Sequence, residues 1–341
     1  MKPDRRRRAR GAIIAPLLAA LALAGGGAGY MTKMPGQNFS GPVPEPAAEE
    51  RLLADRLRAH VTRLAQSERH TGLPQQLEQA AQYLERTLTG FGLTVRRQEF
   101  DAGGVRVRNL EVTIRPRADR RQTPQVLVVG AHYDSAPGTP GANDNASGCA
   151  ALLELARALQ ASPPARGHEI RLVLYVNEEA PWFGGEQMGS MVHARELARS
   201  GVKVAGMLSL ETLGYYSSQP GSQRYPAQLG RLYPDTGNFV GFVSDLGSRD
   251  LLHGVISAFR RHANLPSEGV AAPSSLRGVD WSDHWAYRQF GFPALMVTDT
   301  AFYRYPYYHT PEDTPDKLDY ERLALAVRGL ELALRNLAEP E

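Results

Sequence analysis

The sequence predicts a mixed α/β fold, with a largely parallel central sheet and helices on both of its faces. Three observations carry that prediction. After residue 125, short apolar runs rich in Val and Leu alternate with stretches of helical periodicity, as strand–helix units do. Ahead of them, two strand-like segments meet at Ala102-Gly103-Gly104 like a hairpin, so the sheet opens antiparallel. Finally, His, Asp and Glu residues fall at or just past the ends of several apolar runs, where open α/β sheets place their ligands.

The chain of 341 residues is long enough for one large α/β domain with an ample core. Its net charge of +3 suggests a basic protein, but residues 1–24 alone carry +5, leaving −2 for the remainder. Nothing in that balance supports nucleic-acid binding. The single Cys149 excludes an internal disulfide and a CxxC metal site, and reads as a small core residue.

Lys2 and the arginines at 5–8 and 10 form a positive leader, followed by an apolar run, Ala12 to Ala24, ending in Ala22-Leu23-Ala24. Residues 1–31 therefore read as a secretory signal or, since Gly11 to Met31 just suffices to span a bilayer, as an uncleaved anchor. Either way the arginines send the domain outward, to the periplasm or the extracellular side. Membrane contact is expected only through this segment, if it is retained. Residues 32–46 read as a Pro/Gly linker and 47–341 as one domain.

Helices are expected at 47–68 and 74–90, the first with Glu49 and Glu50 in its opening turn, the second between Pro74 and the Gly90 stop. Strands follow at 93–100 and 105–115, and a buried one begins at Val126. Further helices read at 146–161, 185–200, 249–264 and 319–337, and strands at 169–176, 203–210, 239–244 and 293–298. The Gly-, Pro- and Tyr-rich stretch 215–248 reads as a lid, a substrate wall or a packed insertion.

Chemistry concentrates between Val126 and Cys149. His132 and Asp134 are two apart and share a strand face, so Asp134 can accept a hydrogen bond from the imidazole and fix its tautomer. Asn143-Asp144-Asn145 follows in a Gly/Pro-rich loop. Glu178-Glu179 closes one strand, Glu211 another, and His309 follows a third. Adjacent carboxylates diverge too much to share a role, so one can ligate a metal while its neighbour stands over the bound water. Asp144, Glu179 and Glu211 with two neutral imidazoles bring −3, which two divalent cations and one bridging hydroxide would neutralise. Donors of N and O without thiolate suit zinc, with cobalt or manganese as alternatives.

These residues sit in blocks that resemble peptidase family M28, the zinc exopeptidases: GAHYDS (130–135), GANDNASG (141–148), NEE (177–179), SLETLGYY (209–216), DHW (283–285) and YHTPEDT (308–314). The resemblance spans roughly residues 50–338. It implies that His132, Asp144 and Glu211 hold one Zn2+, and Asp144, Glu179 and His309 a second. Glu178 would be the general base, Asp134 would orient His132, and the peptide after Asp144 would be cis. Many members carry Asp where Glu211 stands. Leucine-type aminopeptidases of the family place a Tyr shortly before the Asp-His pair, where this chain has Gly278-Val279-Asp280-Trp281-Ser282. Arg304, Tyr303, Tyr305, Tyr307 and Tyr308 are substitutes, and Asp283 and His284 read as supporting residues.

The expected activity is hydrolysis of N-terminal residues from peptides. Glu211 or Asp283 would receive the substrate's α-ammonium, and Tyr308 would contact the substrate. Arg304, able to grip a terminal carboxylate, keeps a carboxypeptidase as an alternative. A glutaminyl-cyclase-like acyltransferase and a non-catalytic receptor-like relative are the others.

Overall fold

The computed structural model describes residues 25–118 and 125–339, without the side chains of 227 and 228. The expected leader therefore lies outside the described residues as far as residue 24; residues 25–32 are helical. Among the described residues no helix is long and apolar enough to cross a membrane.

Helices α1 (Ala48–Leu64) and α2 (Pro74–Gly90) precede strands β1 (Arg96–Ala102), β2 (Val105–Ile114) and β3 (Val126–His132). Then follow α3 (Gly148–Ala161), β4 (Glu169–Tyr175), α4 (Gly189–Arg199), β5 (Val204–Glu211), β6 (Val240–Ser244) and α5 (Arg249–His262). The chain closes with β7 (Ser267–Ala271), α6 (His284–Arg288), β8 (Ala294–Thr298) and α7 (Tyr320–Ala338).

All eight strands join one sheet in the order β1-β2-β4-β3-β5-β8-β6-β7. After the opening hairpin four of the six ladders are parallel, that of β6 with β7 included, so the sheet is mixed and largely parallel as expected. Parallel ladders join β4, β3, β5 and β8, but β2 runs antiparallel to β4 and β6 antiparallel to β8. The long excursion before β6 sets that strand's direction, and it carries no periodic signal. β7 and α6 were not expected: five residues each are too few to show a period, and Ser-Glu-Gly-Val-Ala has weak strand propensity.

Strand β3 is buried along its whole length, so the period of two sorts its side chains into two cores. Leu127, Val129 and Ala131 pack in the larger core with α1, α2, α3, α5 and α7. Val126 and Val128 pack on the opposite face with Ala194 and Leu197 of α4 and Tyr287 of α6. The stretch expected to be a linker lies against the domain: Met34 and Val43 pack on the larger core, and Asn38 hydrogen-bonds Ser267 and Glu268.

Candidate active site

The four mutually parallel strands end side by side. β3 leads to β4 on one side, and β5 pairs with its other edge, making a topological switch point, the usual ligand crevice of such sheets. His132 is the last residue of β3 and Glu211 the last of β5. Glu178 and Glu179 follow β4, His309 follows β8, and Asp144 lies in the loop between β3 and α3. Asn177 (φ 62°), Thr212 (φ 44°) and His309 (φ 57°) adopt the left-handed region where the chain turns away from these strand ends. Such conformations in residues other than Gly collect where a site over-determines the backbone. Gly141 (φ 62°) opens the Asp144 loop, and a Cβ there would lie 2.3 Å from the Asp144 carbonyl oxygen, so only glycine fits. The Asp144–Asn145 peptide is cis.

The structure brings all six predicted donors and base together. His132 Nε2 lies 3.2 Å from Asp144 Oδ1 and 3.3 Å from Glu211 Oε2. His309 Nε2 lies 3.0 Å from Asp144 Oδ2 and 3.3 Å from Glu179 Oε1. Each Asp144 oxygen thus serves a different group of donors, and each group could hold one metal ion. Donors about 2.0–2.1 Å from a tetrahedral ion stand about 3.3 Å apart, close to these separations. His132 Nε2, Asp144 Oδ1 and Glu179 Oε1 are buried without hydrogen-bond partners, a costly state unless a cation engages them. The donor set fits divalent metal on both counts.

Charge distribution agrees. Burial pushes the Glu211 carboxyl up to about 7, with Asp144 adding to the shift and His132 opposing it. Burial also raises Glu178 well above the carboxylate range, reinforced by Glu211, Glu179 and Asp283. Burial opposes protonation of His309, yet Asp144 and Glu179 outweigh it and lift the imidazole to about 10. The clustered carboxylates thus favour positive charge between them, which a divalent cation would supply. Glu178 Oε2 stands 3.8 Å from His132 Nε2, beside the first group of donors.

Asp134 faces His132 as expected, at long range, and its carboxylate takes a second role. Its Oδ1 is 3.5 Å from His132 Nδ1, too far for a good hydrogen bond, and the Asp134 carbonyl oxygen lies nearer at 3.2 Å. The strand ends at His132, so the carboxylate swings across to β4. There it accepts the backbone N–H groups of Glu178 and Glu179, both at 3.1 Å. It fixes the turn that carries both glutamates.

Three supports escaped the sequence reading. Buried Arg69 donates to the carbonyls of Tyr133 (2.7 Å), Gly141 (2.7 Å) and Pro140, tying together both ends of the loop before Asp144. Asp313 accepts the N–H groups of Asn143 (2.8 Å) and Asp144 (3.1 Å). Asp299 accepts from Asn143 Nδ2 and Tyr215 N, both at 2.8 Å. Asp313 falls within the YHTPEDT block, and that position is its only signal. Arg69 and Asp299 have none: Arg69 acts on backbone carbonyls, and Asp299 meets Asn143 and Tyr215 across more than eighty residues of chain.

The expected substrate contacts divide. Arg304 is buried and gives its guanidinium to Gln223 Oε1 (2.8 Å) and the Phe239 carbonyl (2.8 Å), over the Phe239 ring. It pins the insertion before β6 and does not present a fork to substrate. Asp283 is fully buried, and burial pushes its carboxyl up to about 7. Tyr308 is the contact the structure leaves available. Its ring stacks on His309 with centroids 3.9 Å apart, and it lines a pocket together with Glu211. Tyr303 and Tyr305 direct their hydroxyls elsewhere, to the Arg277 carbonyl and to Asp313. His284 is buried, with Nε2 2.7 Å from the Val279 carbonyl oxygen. Cys149 is buried, 3.0 Å from the His132 carbonyl, and burial pushes its thiol up to about 12.

Comparison with known proteins points to one family. The profile of Peptidase family M28 matches residues 109–331. The uncharacterized protein YfbL of Escherichia coli (strain K12) is 40% identical over 269 residues, covering 76% of this chain and 80% of that protein. The probable leucine aminopeptidase 1 of Trichophyton verrucosum is 28% identical, over 59% of this chain and 52% of that protein. The chain thus spans about half the length of that aminopeptidase. Among solved structures, the Legionella pneumophila LapA aminopeptidase aligns with a TM-score of 0.65 at 20% identity, covering 89% of this chain and 78% of its own. A Porphyromonas gingivalis glutaminyl cyclase aligns with a TM-score of 0.60 at 21% identity, over 82% and 97%. At those identities both are likenesses of fold.

Proposed function

The chain belongs to peptidase family M28 and is a metallopeptidase, and from that premise we propose that it is a di-zinc aminopeptidase. The observation that carries the proposal is the shared Asp144. One oxygen faces His132 and Glu211, the other faces His309 and Glu179, and Glu178 stands alongside. Held by those two groups of donors, zinc ions would polarise the scissile carbonyl and acidify the attacking water. Glu178 takes the proton of that water and passes it to the leaving amine; its raised affinity for a proton suits both halves of the task. Asp134 keeps Glu178 and Glu179 in register through their N–H groups. Tyr308 donates its hydroxyl to the developing oxyanion, in place of the Tyr that this chain lacks before Asp283. Burial and the surrounding carboxylates raise Tyr308 well above its ordinary range, so it keeps its proton.

The commitment of Arg304 to the insertion weakens the carboxypeptidase alternative and favours recognition of the substrate's free α-ammonium. The test compares one good peptide in free, N-acetylated and C-amidated forms. Acetylation should abolish cleavage and amidation should change the rate little; the reverse pattern would make the protein a carboxypeptidase. Cyclisation of N-terminal Gln peptides without hydrolysis would favour the acyltransferase alternative.

A further inference from the structure

On the sheet face opposite α5, strands β6, β7 and β8 floor a pocket whose inner end is Glu211 and Tyr308. Insertion residues Tyr225 and Tyr233, stacked 5.6 Å apart, close it from above. Most of the wall is apolar, with Val243, Val270, Met296 and Phe302 prominent. Besides Glu211 at the inner end, one carboxylate stands among these walls, that of Glu268.

The period of two puts it there. Ala271 of β7 packs in the helix-side core, and a Cβ at Gly269 would meet Met34 and Ile256 on that side. Glu268 and Val270 therefore point to the pocket. Glu268 Oε1 accepts one hydrogen bond, from Asn38 Nδ2 at 3.1 Å. The charge of Arg260 reaches Glu268, but its guanidinium is used by Ser267 Oγ (3.0 Å), the Ser267 carbonyl (2.8 Å) and the Pro35 carbonyl. The hydroxyls of Tyr225 and Tyr233 are directed to the carbonyls of Pro234 and Gly269. Arg224 and Arg277 also line the pocket but are exposed, and Arg277 lies over the Trp281 and Phe302 rings. Solvent screens their charges, whereas Glu268 is largely withdrawn from water. A pocket for Leu would be better floored by an apolar residue, because a desolvated carboxylate is costly unless a cation meets it.

We propose that Glu268 makes this pocket select a basic side chain, Lys or Arg, on the residue whose carbonyl is attacked. The aliphatic stem lies along the apolar wall while the cationic head reaches Glu268, the division of contacts that long basic side chains favour. The inference deepens the aminopeptidase reading and rests on it.

The experiment measures kcat/KM of the zinc-loaded protein for lysyl, arginyl and norleucyl p-nitroanilides, norleucine being the lysine stem without its charge. The wild type should favour the basic substrates over norleucyl by about tenfold or more, the range of a close buried charge pair. Glu268→Gln should bring that ratio to about one. The wild-type ratio tests the inference without any variant, so poor folding of Glu268→Gln does not rescue it. Hydrolysis that favours norleucyl, or a ratio equal in both proteins, overturns the pocket assignment and leaves the aminopeptidase reading standing. Absence of hydrolysis for all three overturns both.

Discussion

Replacing Arg69 with Met tests how the loop before Asp144 is held. Three donor contacts to the loop disappear, to the carbonyls of Tyr133, Pro140 and Gly141, together with a longer one to the Leu64 carbonyl (3.4 Å), in a position only 1% exposed. Hydrogen bonds to a charged group are worth about 1.5–3 kcal/mol each, so their sum is at most about 5–9 kcal/mol. Against this, the variant no longer buries a guanidinium, which recovers several kcal/mol, and Met fills part of the space. The expected net destabilisation is about 3–5 kcal/mol, within the range for breaking a buried polar network. At about 2–3 °C per kcal/mol for a large domain, the melting temperature should fall by about 6–15 °C. The loop between Tyr133 and Gly141 joins His132 to Asp144 in the chain, so zinc affinity should also weaken by about tenfold or more. Differential scanning calorimetry and zinc titration of the two proteins supply both quantities. Arg106→Met is the control, because Arg106 makes only an exposed ion pair with Glu99 and should shift stability by no more than about 0.5 kcal/mol. An Arg69→Met variant melting within about 2 °C of the wild type would refute the reasoning.

Two further predictions concern the site and its surroundings. Glu178→Gln should keep close to two zinc ions per chain while kcat falls by about 10²-fold or more, whereas Glu179→Gln should lose metal; identical behaviour in metal analysis would sink that division of labour. Glu111 is buried, which pushes its carboxyl up, but His193 at 2.8 Å together with Arg96 and Arg171 outweighs burial and holds it at about 2. A depressed carboxyl contributes stability above its ordinary value of 4.5 that is lost as pH falls toward about 2. Urea midpoints should therefore drop between pH 5 and 3 more steeply for the wild type than for Glu111→Gln, and parallel curves would contradict the assignment.

The sequence by itself determined the elements with strong local signals. Apolar periodicity located α1, α2, α3, α5 and α7 to within a few residues, and the apolar runs located β3, β4, β5 and β8. It also nominated His132, Asp144, Glu178, Glu179, Glu211 and His309, because donors at strand ends keep a recognisable pattern when the strands are parallel neighbours. What only the tertiary structure decided depends on contacts without local periodicity. The antiparallel direction of β6 and the short strand β7 carry no local signal, and Arg304, a residue the sequence offered to substrate, instead pins the insertion before β6. The carboxylate of Asp134 meets two N–H groups more than forty residues away in the chain. Arg69 acts on backbone groups, which carry no side-chain identity for a motif to record, and Asp299 meets Asn143 and Tyr215 across more than eighty residues. Asn38 reaches Glu268 from a stretch that reads as a linker, since Pro and Gly describe the local chain and not the surface it lies on. Local preference is written along the chain, but the satisfaction of buried polar groups is settled only when distant segments close around them.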